Sequence, residues 1–247
     1  GEVGTGKTLL CRKLLSELGS EQKPVRLAWL PNPHLSPAEL RTALALDLGL
    51  AVHDGSELDL TDRIHRHLIA LHQQGQRVVV LIDEAQALPD ETLEAIRLFG
   101  NLETESSKLL QIVLFGQPEL DVRLARPHLR QLRQRIGFSY CLRPLRCDET
   151  RAYLEHRLHV SGYRGAALFG GPALRLLWRA SRGIPRLINV LAQKCLMLAY
   201  GRGVRRIDSA LVRLAIRDTD DARRGALVRW WPLLLLLGAA LTYGVWS

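Results

Sequence analysis

Residues 1–8 read GEVGTGKT, and Gly1, Gly6, Lys7 and Thr8 fill every fixed position of the pattern G-x-x-x-x-G-K-[ST]. Glycines in such a run let successive backbone N–H groups converge on phosphate oxygens, and a helix starting at the lysine adds its positive end. Lys7 would reach the outer phosphates of a nucleotide, and Thr8 would ligate Mg²⁺. The whole loop, Gly1, Glu2, Val3, Gly4, Thr5, Gly6, Lys7 and Thr8, is therefore a candidate phosphate cradle. A plain glycine turn before a helix does not account for Gly, Lys and Thr together.

The run VVVLIDEA ends in two adjacent carboxylates, Asp83 and Glu84. A buried strand would deliver them to the carboxyl edge of an open α/β sheet, where ligands bind. Two carboxylates there are unfavourable unless a cation offsets them. Asp83 suits Mg²⁺ through water, and Glu84 suits polarising an attacking water. Gln117, in LFGQPEL, follows the next apolar run and falls on the same edge, within reach of a γ-phosphate or that water. In RQLRQRI, Arg130, Arg133 and Arg135 concentrate positive charge. A cation so placed can act on a neighbouring subunit's nucleotide in ring-forming ATPases; Arg135 is the preferred candidate, with Arg133 the alternative. In SRGIPRLIN, Pro185 suits the first helical turn and puts Arg186 beside the helix's positive end, an unfavourable place unless a phosphate joins it.

These groups need a scaffold. Leu10, Leu14 and Leu18 recur at helical steps after the loop, with Gly19 suited to end the helix. The run 25–30 is a short strand, Ser36 and Pro37 start a helix, and another helix covers about 59–73. The β-branched run 78–82 predicts a central parallel strand covered on both faces. A helix through 93–99, a strand at 110–115 and a less apolar strand at 138–142 follow. Strands alternating with helices predict an α/β fold, a doubly wound parallel sheet. Beyond it the strand signal vanishes. The expected organisation is an α/β nucleotide-binding core over 1–146, a helical lid over 147–217, a basic linker over 218–229 and an apolar segment over 230–247.

The net charge of +9 comes from 34 Lys and Arg against 25 Asp and Glu, and most of the cations are arginine. Arginine spread this evenly suits acidic membrane lipid as well as DNA, and nucleic acid is not the expected partner. Cys11, Cys141, Cys147 and Cys195 form no C-x-x-C pair, which fits reduced thiols. The histidines at 65, 67, 72, 156 and 159 read as solvated helix faces.

The motifs in this order resemble the AAA+ ATPases. LSPAELRTALALDLGL, LIDEAQALPDETLEAIRLFGNLE, LLQIVLFGQPEL, LRQLRQRI and SRGIPRLIN are similar to one group of them, the ExeA-like and MshM-like ATPases of general secretion and MSHA-type pilus biogenesis. The resemblance covers about 1–217. It implies that Lys7 and Thr8 belong to Walker A, Asp83 and Glu84 to Walker B, Gln117 to sensor 1, Arg135 to the arginine finger and Arg186 to sensor 2. It also implies an ATP·Mg²⁺ site between core and lid, a homo-oligomer such as a hexameric ring, and envelope secretion or pilus components as partners. Members carry a further core strand and part of the adenine pocket upstream, so this sequence is expected to be a piece of a longer protein, a P-loop core without its first strand.

The stretch WWPLLLLLGAALTYGVWS, 230–247, carries no charge and just meets the roughly 18–20 residues that span a bilayer. Tryptophans at both ends suit the interfaces, and Arg223, Arg224 and Arg229 place the preceding side in the cytoplasm. The expectation is a single-pass anchor in a bacterial inner membrane. The alternative is a soluble, DNA-associated AAA+ ATPase of the transposition type, which an anchor argues against.

Overall fold

Strand β2 (Arg77–Ile82) consists of β-branched and leucine side chains buried from Val78 onward. Strands β1 (Val25–Leu30) and β3 (Leu110–Leu114) flank it, all parallel, in the order β1-β2-β3. Register is set by the pairs Ala28↔Val80 and Val80↔Ile112. Side chains alternate between faces along a strand. Val78, Val80 and Ile82 accordingly join one apolar cluster and Val79 and Leu81 another. The first cluster takes up α2 (Pro37–Asp47), α3 (Glu57–Gln73), α4 (Asp90–Phe99), α5 (Pro118–Leu124) and α6 (Arg130–Arg135), through residues such as Leu44, Ile64, Leu93, Leu120 and Leu132. The second is covered by α1 (Lys7–Ser20) through Cys11, Leu14 and Leu18. Both faces of the sheet are therefore clothed in helices, the arrangement expected from the pattern of apolar runs.

Local signals place the helix starts. Ser36 accepts from the Glu39 amide while Glu39 accepts from the Ser36 amide, a reciprocal cap that fixes the start of α2. Helix α1 runs to Ser20, past Gly19, which was expected to end it.

This computed structural model describes residues 1–20, 25–31, 34–52, 57–103, 107–220 and 222. The chain divides into two compact units, Gly1–Leu142 and Arg143–Ser247. The second unit contains α7 (Cys147–Val160), α8 (Gly171–Ser181), α9 (Pro185–Gly201) and α10 (Ser209–Arg217) around Leu154, Leu177, Ile188, Leu191 and Val212. Asp208 caps α10 by accepting from the amides of Ala210 and Leu211. Burial pushes the Cys195 thiol up to about 12, so it packs as a small apolar side chain.

One expected strand is not formed. Residues 138–142 join no ladder, and Phe138 is 99% and Tyr140 81% exposed. The geometry explains this. The Gly1 amino group donates to Gly116 O at 3.2 Å, just beyond β3, and a Cβ on Gly1 would meet Leu142 Cβ at 2.8 Å. Gly1 thus stands between Leu142 and the end of β3, so Leu142 is not the direct neighbour of β3 and no ladder joins the two. The expected membrane segment, 230–247, lies outside the described residues. Among the described residues, no helix is long and apolar enough to cross a membrane.

Candidate nucleotide site

The loop before α1 turns through left-handed backbone at Gly4 (φ 80°) and Gly6 (φ 103°), which glycine adopts without steric penalty. Its carbonyls are tied inward. Thr5 Oγ1 donates to Glu2 O at 2.7 Å, and Lys7 Nζ donates to Gly1 O at 2.7 Å and Glu2 O at 3.0 Å. Lys7 is only 7% exposed, so its ammonium is drawn into the concave side of the loop and kept from bulk water.

The ladder of the sheet continues past the strand ends and carries the next residues with it. Asp83 N donates to Leu30 O at 3.2 Å, Phe115 N to Ile82 O at 2.8 Å, and Ala85 N to Phe115 O at 2.9 Å. Asp83 and Glu84 therefore emerge at the carboxyl ends of β1–β3, with Gln117 two residues past Phe115. Thr8 Oγ1 donates to Asp83 Oδ2 at 3.0 Å, and Asp83 Oδ1 accepts from Glu84 N at 2.9 Å. This hydroxyl and carboxylate are hard oxygen donors directly beside the loop 1–8, a set that fits Mg²⁺.

Glu84 is one of two non-glycine residues with left-handed backbone among those described, at φ 51° and ψ 36°. Such a conformation costs about 1–2 kcal/mol and needs outside support. The support comes from two amides. Gln86 Nε2 donates to Glu84 Oε2 at 2.6 Å and Gln117 Nε2 donates to the same oxygen at 3.0 Å, while Gln117 N donates to Gln86 Oε1 at 3.0 Å. The Gln117 amide, then the Gln86 amide and the Lys7 charge, hold the Glu84 carboxyl below the ordinary carboxylate range against its partial burial. Glu84 is thus an ionised, oriented carboxylate.

A second polar layer lies behind it. Arg123, on α5, donates to Gln86 O at 2.6 Å and also pairs with Asp90, the first residue of α4. Asp90 further receives His128 Nε2 at 2.7 Å and Arg126 at 3.4 Å.

The structure brings together the loop 1–8, Asp83, Glu84 and Gln117. Arg130, Arg133 and Arg135 are exposed on α6, whose Leu132 is buried in the core. Arg186 is exposed at the second position of α9, in the second unit. Sequence reasoning missed Gln86, Arg123 and Asp90. The available signal for Gln86 was an amide two residues after the second carboxylate, where the chain leaves the strand; Arg123 and Asp90 carry no local signal.

A profile of the AAA domain matches residues 1–124. The chain belongs to the AAA family. Membership makes it a P-loop NTPase and implies nucleotide binding, in keeping with the glycine loop at 1–8. This AAA chain is 41% identical over all 247 residues to general secretion pathway protein A of Aeromonas hydrophila, and it spans 44% of that protein's length. Among solved structures, its fold is similar to Cdc6p from Pyrobaculum aerophilum, with a TM-score of 0.65 and 17% identity, covering 88% of this chain and 59% of that one. It is similar also to the Aeropyrum pernix ORC2 protein in ADPNP–ADP complexes, with a TM-score of 0.60 and 19% identity over 88% of this chain and 60% of that one. At such identities these two likenesses concern the fold alone.

Proposed function

We propose that this AAA chain binds and hydrolyses ATP to drive assembly of a bacterial envelope machine, a general secretion system or an MSHA-type pilus, from a membrane-anchored position. The observation that carries the hydrolytic part is the pairing of Thr8 with Asp83 next to the pairing of Glu84 with Gln117, at the strand ends that face the loop. Backbone amides of 1–8 hold the phosphates, and Lys7 leaves the carbonyls of Gly1 and Glu2 for the β- and γ-phosphate oxygens. Thr8 and Asp83 would hold Mg²⁺, which when bound offsets charge on the phosphates. Glu84 accepts a proton as water oxygen bonds the γ-phosphorus, and the bond to the bridging oxygen breaks to leave ADP. Gln117 orients that water or a γ-phosphate oxygen. Arg135, or Arg133, supplies positive charge to a neighbouring subunit's nucleotide, so the working form is a homo-oligomer, a ring such as a hexamer. Arg186 adds a cation to the phosphates from α9.

Kinship over the whole chain to general secretion pathway protein A supports the envelope role. The uncharged stretch 230–247 supports a single-pass inner-membrane anchor, with the ATPase in the cytoplasm and lipid as a further partner. The test uses two variants with different expected defects. Lys7→Ala should abolish ATP binding in an equilibrium assay, whereas Glu84→Gln should bind ATP and keep it uncleaved. Parent-rate hydrolysis by Glu84→Gln would remove Glu84 from the mechanism.

A further inference from the structure

A carboxylate on a three-torsion side chain does not hold one orientation by itself, and a base must be within hydrogen-bond reach of the proton it takes. Gln86 supplies orientation from both ends of its amide. Its Oε1 accepts from Gln117 N at 3.0 Å and its Nε2 donates to Glu84 Oε2 at 2.6 Å. Rotating that amide by half a turn would set NH₂ against a backbone N–H and a carbonyl oxygen against a carboxylate, so the observed orientation is the one the chemistry allows. The backbone carbonyl of Gln86 is fixed as well, by the Arg123 guanidinium that also grips Asp90.

Gln117 differs. Its side chain reaches the same Glu84 oxygen at the longer distance of 3.0 Å, and in the reading above it turns to the γ-phosphate or the water. When it does, Glu84 keeps one amide. We infer that Gln86 is a positioning residue for ATP hydrolysis, holding the Glu84 carboxylate in place while Gln117 changes partners, and that Arg123 locks Gln86 by bridging its carbonyl to Asp90. This rests on Glu84 being the base.

The experiment has one arm without nucleotide and one with it, both on the protein as the cell makes it. In nucleotide-free protein with labelled glutamine amides, Glu84→Ala should shift the side-chain NH₂ resonances of both Gln86 and Gln117. A Gln86 resonance that stays in place overturns the contact. In the second arm, Gln86→Met keeps the length and bulk of the side chain but has no amide. Its kcat should fall roughly ten- to a hundredfold, the effect of one hydrogen bond to a charged group. The ATP Kd should stay within about twofold, because an interaction that matters only for the chemical step leaves ground-state binding alone. An unchanged kcat with a lowered Tm would mean that Gln86 merely packs. Glu84→Gln separates the two claims: turnover at the parent rate there defeats the base assignment, whereas lost turnover there with a parent kcat in Gln86→Met defeats only the role of Gln86.

Discussion

Glu84 in the α/β unit and Arg182 in the helical unit share an uncommon backbone, φ 51° and φ 55°, yet they are held there by different means. Arg182 follows the last turn of α8, and main-chain bonds define it: Arg182 N to Arg179 O and Gly183 N to Trp178 O, both at 3.3 Å. Gly183 comes next at φ 72°, and a Cβ there would lie 2.1 Å from Leu145 O. Leu145 in turn donates from its N to Gly183 O at 2.8 Å and accepts from Trp178 Nε1 at 2.9 Å. Glu84 also has a main-chain bond, from Ala87 N to its carbonyl at 2.9 Å, but its side chain is held as well, by Gln86 and Gln117. The contrast separates two uses of the same strained conformation. At a helix end it completes a backbone turn that remains as it is. At the sheet edge it aims a carboxylate whose partners, under the proposed function, are exchanged during the reaction.

The contrast can be broken most strongly at Glu84. Glu84→Gly removes the proposed base, and hydrolysis should fall on the order of 10²–10⁴-fold, the usual contribution of general-base catalysis. Stability should hardly move, because losing the carboxylate contacts is set against relief of about 1 kcal/mol of backbone strain. Thermal unfolding and turnover measured on one preparation check both halves. A large loss of stability would mean that Glu84 is there for the fold.

Gly183→Ala attacks the other side of the comparison. The added methyl meets the Leu145 carbonyl, and alanine resists φ 72°. Strain of about 1–2 kcal/mol and overpacking of about 1–3 kcal/mol together predict a severe loss of stability in chemical denaturation. A neutral result would show that the turn 182–184 can move away from 145 without penalty.

The sequence made part of this arrangement legible. The glycine loop at 1–8, the buried strand that delivers Asp83 and Glu84, and Pro185 at the head of α9 could be read from local pattern and spacing. Gln117 could be placed on the correct edge because it follows an apolar run, but its bond to Glu84 joins residues far apart in the chain. The bonds of Arg123 to Gln86 and Asp90 are of the same kind, since periodicity reports which face of an element is buried and not which polar side chains meet. The failed expectation at 138–142 has another cause. FSYCL has strand-forming side chains, but a strand exists only through its ladder, and composition does not reveal that Gly1 stands between Leu142 and the end of β3.

A milder substitution sharpens the comparison. Arg182→Gly should stabilise the second unit by about 1 kcal/mol, since glycine fits the left-handed position after a helix without a Cβ penalty. The same preparation should keep its ATP Kd. Destabilisation would mean that the Arg182 side chain does more than cap α8.

The smallest effect concerns a second carboxylate that, like Glu84, is gripped by two donors. Glu149, in the first turn of α7, accepts from Arg143 at 2.6 and 2.8 Å and from the Arg146 amide at 2.8 Å. The Arg143 guanidinium first, then the Arg146 amide, hold its carboxyl down from 4.5 to about 2. A carboxyl whose folded value is depressed binds protons more readily when unfolded. Its contribution is therefore complete above the ordinary value near 4.5 and fades as pH falls toward about 2. Glu149 is near the surface, so salt should weaken the effect. Glu149→Gln lacks it at every pH. The gap in Tm between parent and variant should be constant near neutrality and narrow as the pH is lowered through that window, more so at low ionic strength. If the two curves ran parallel down to about pH 2, the Arg143 contact would stabilise α7 no more than an amide does, and of Glu84 and Glu149 only Glu84 would depend on its charge.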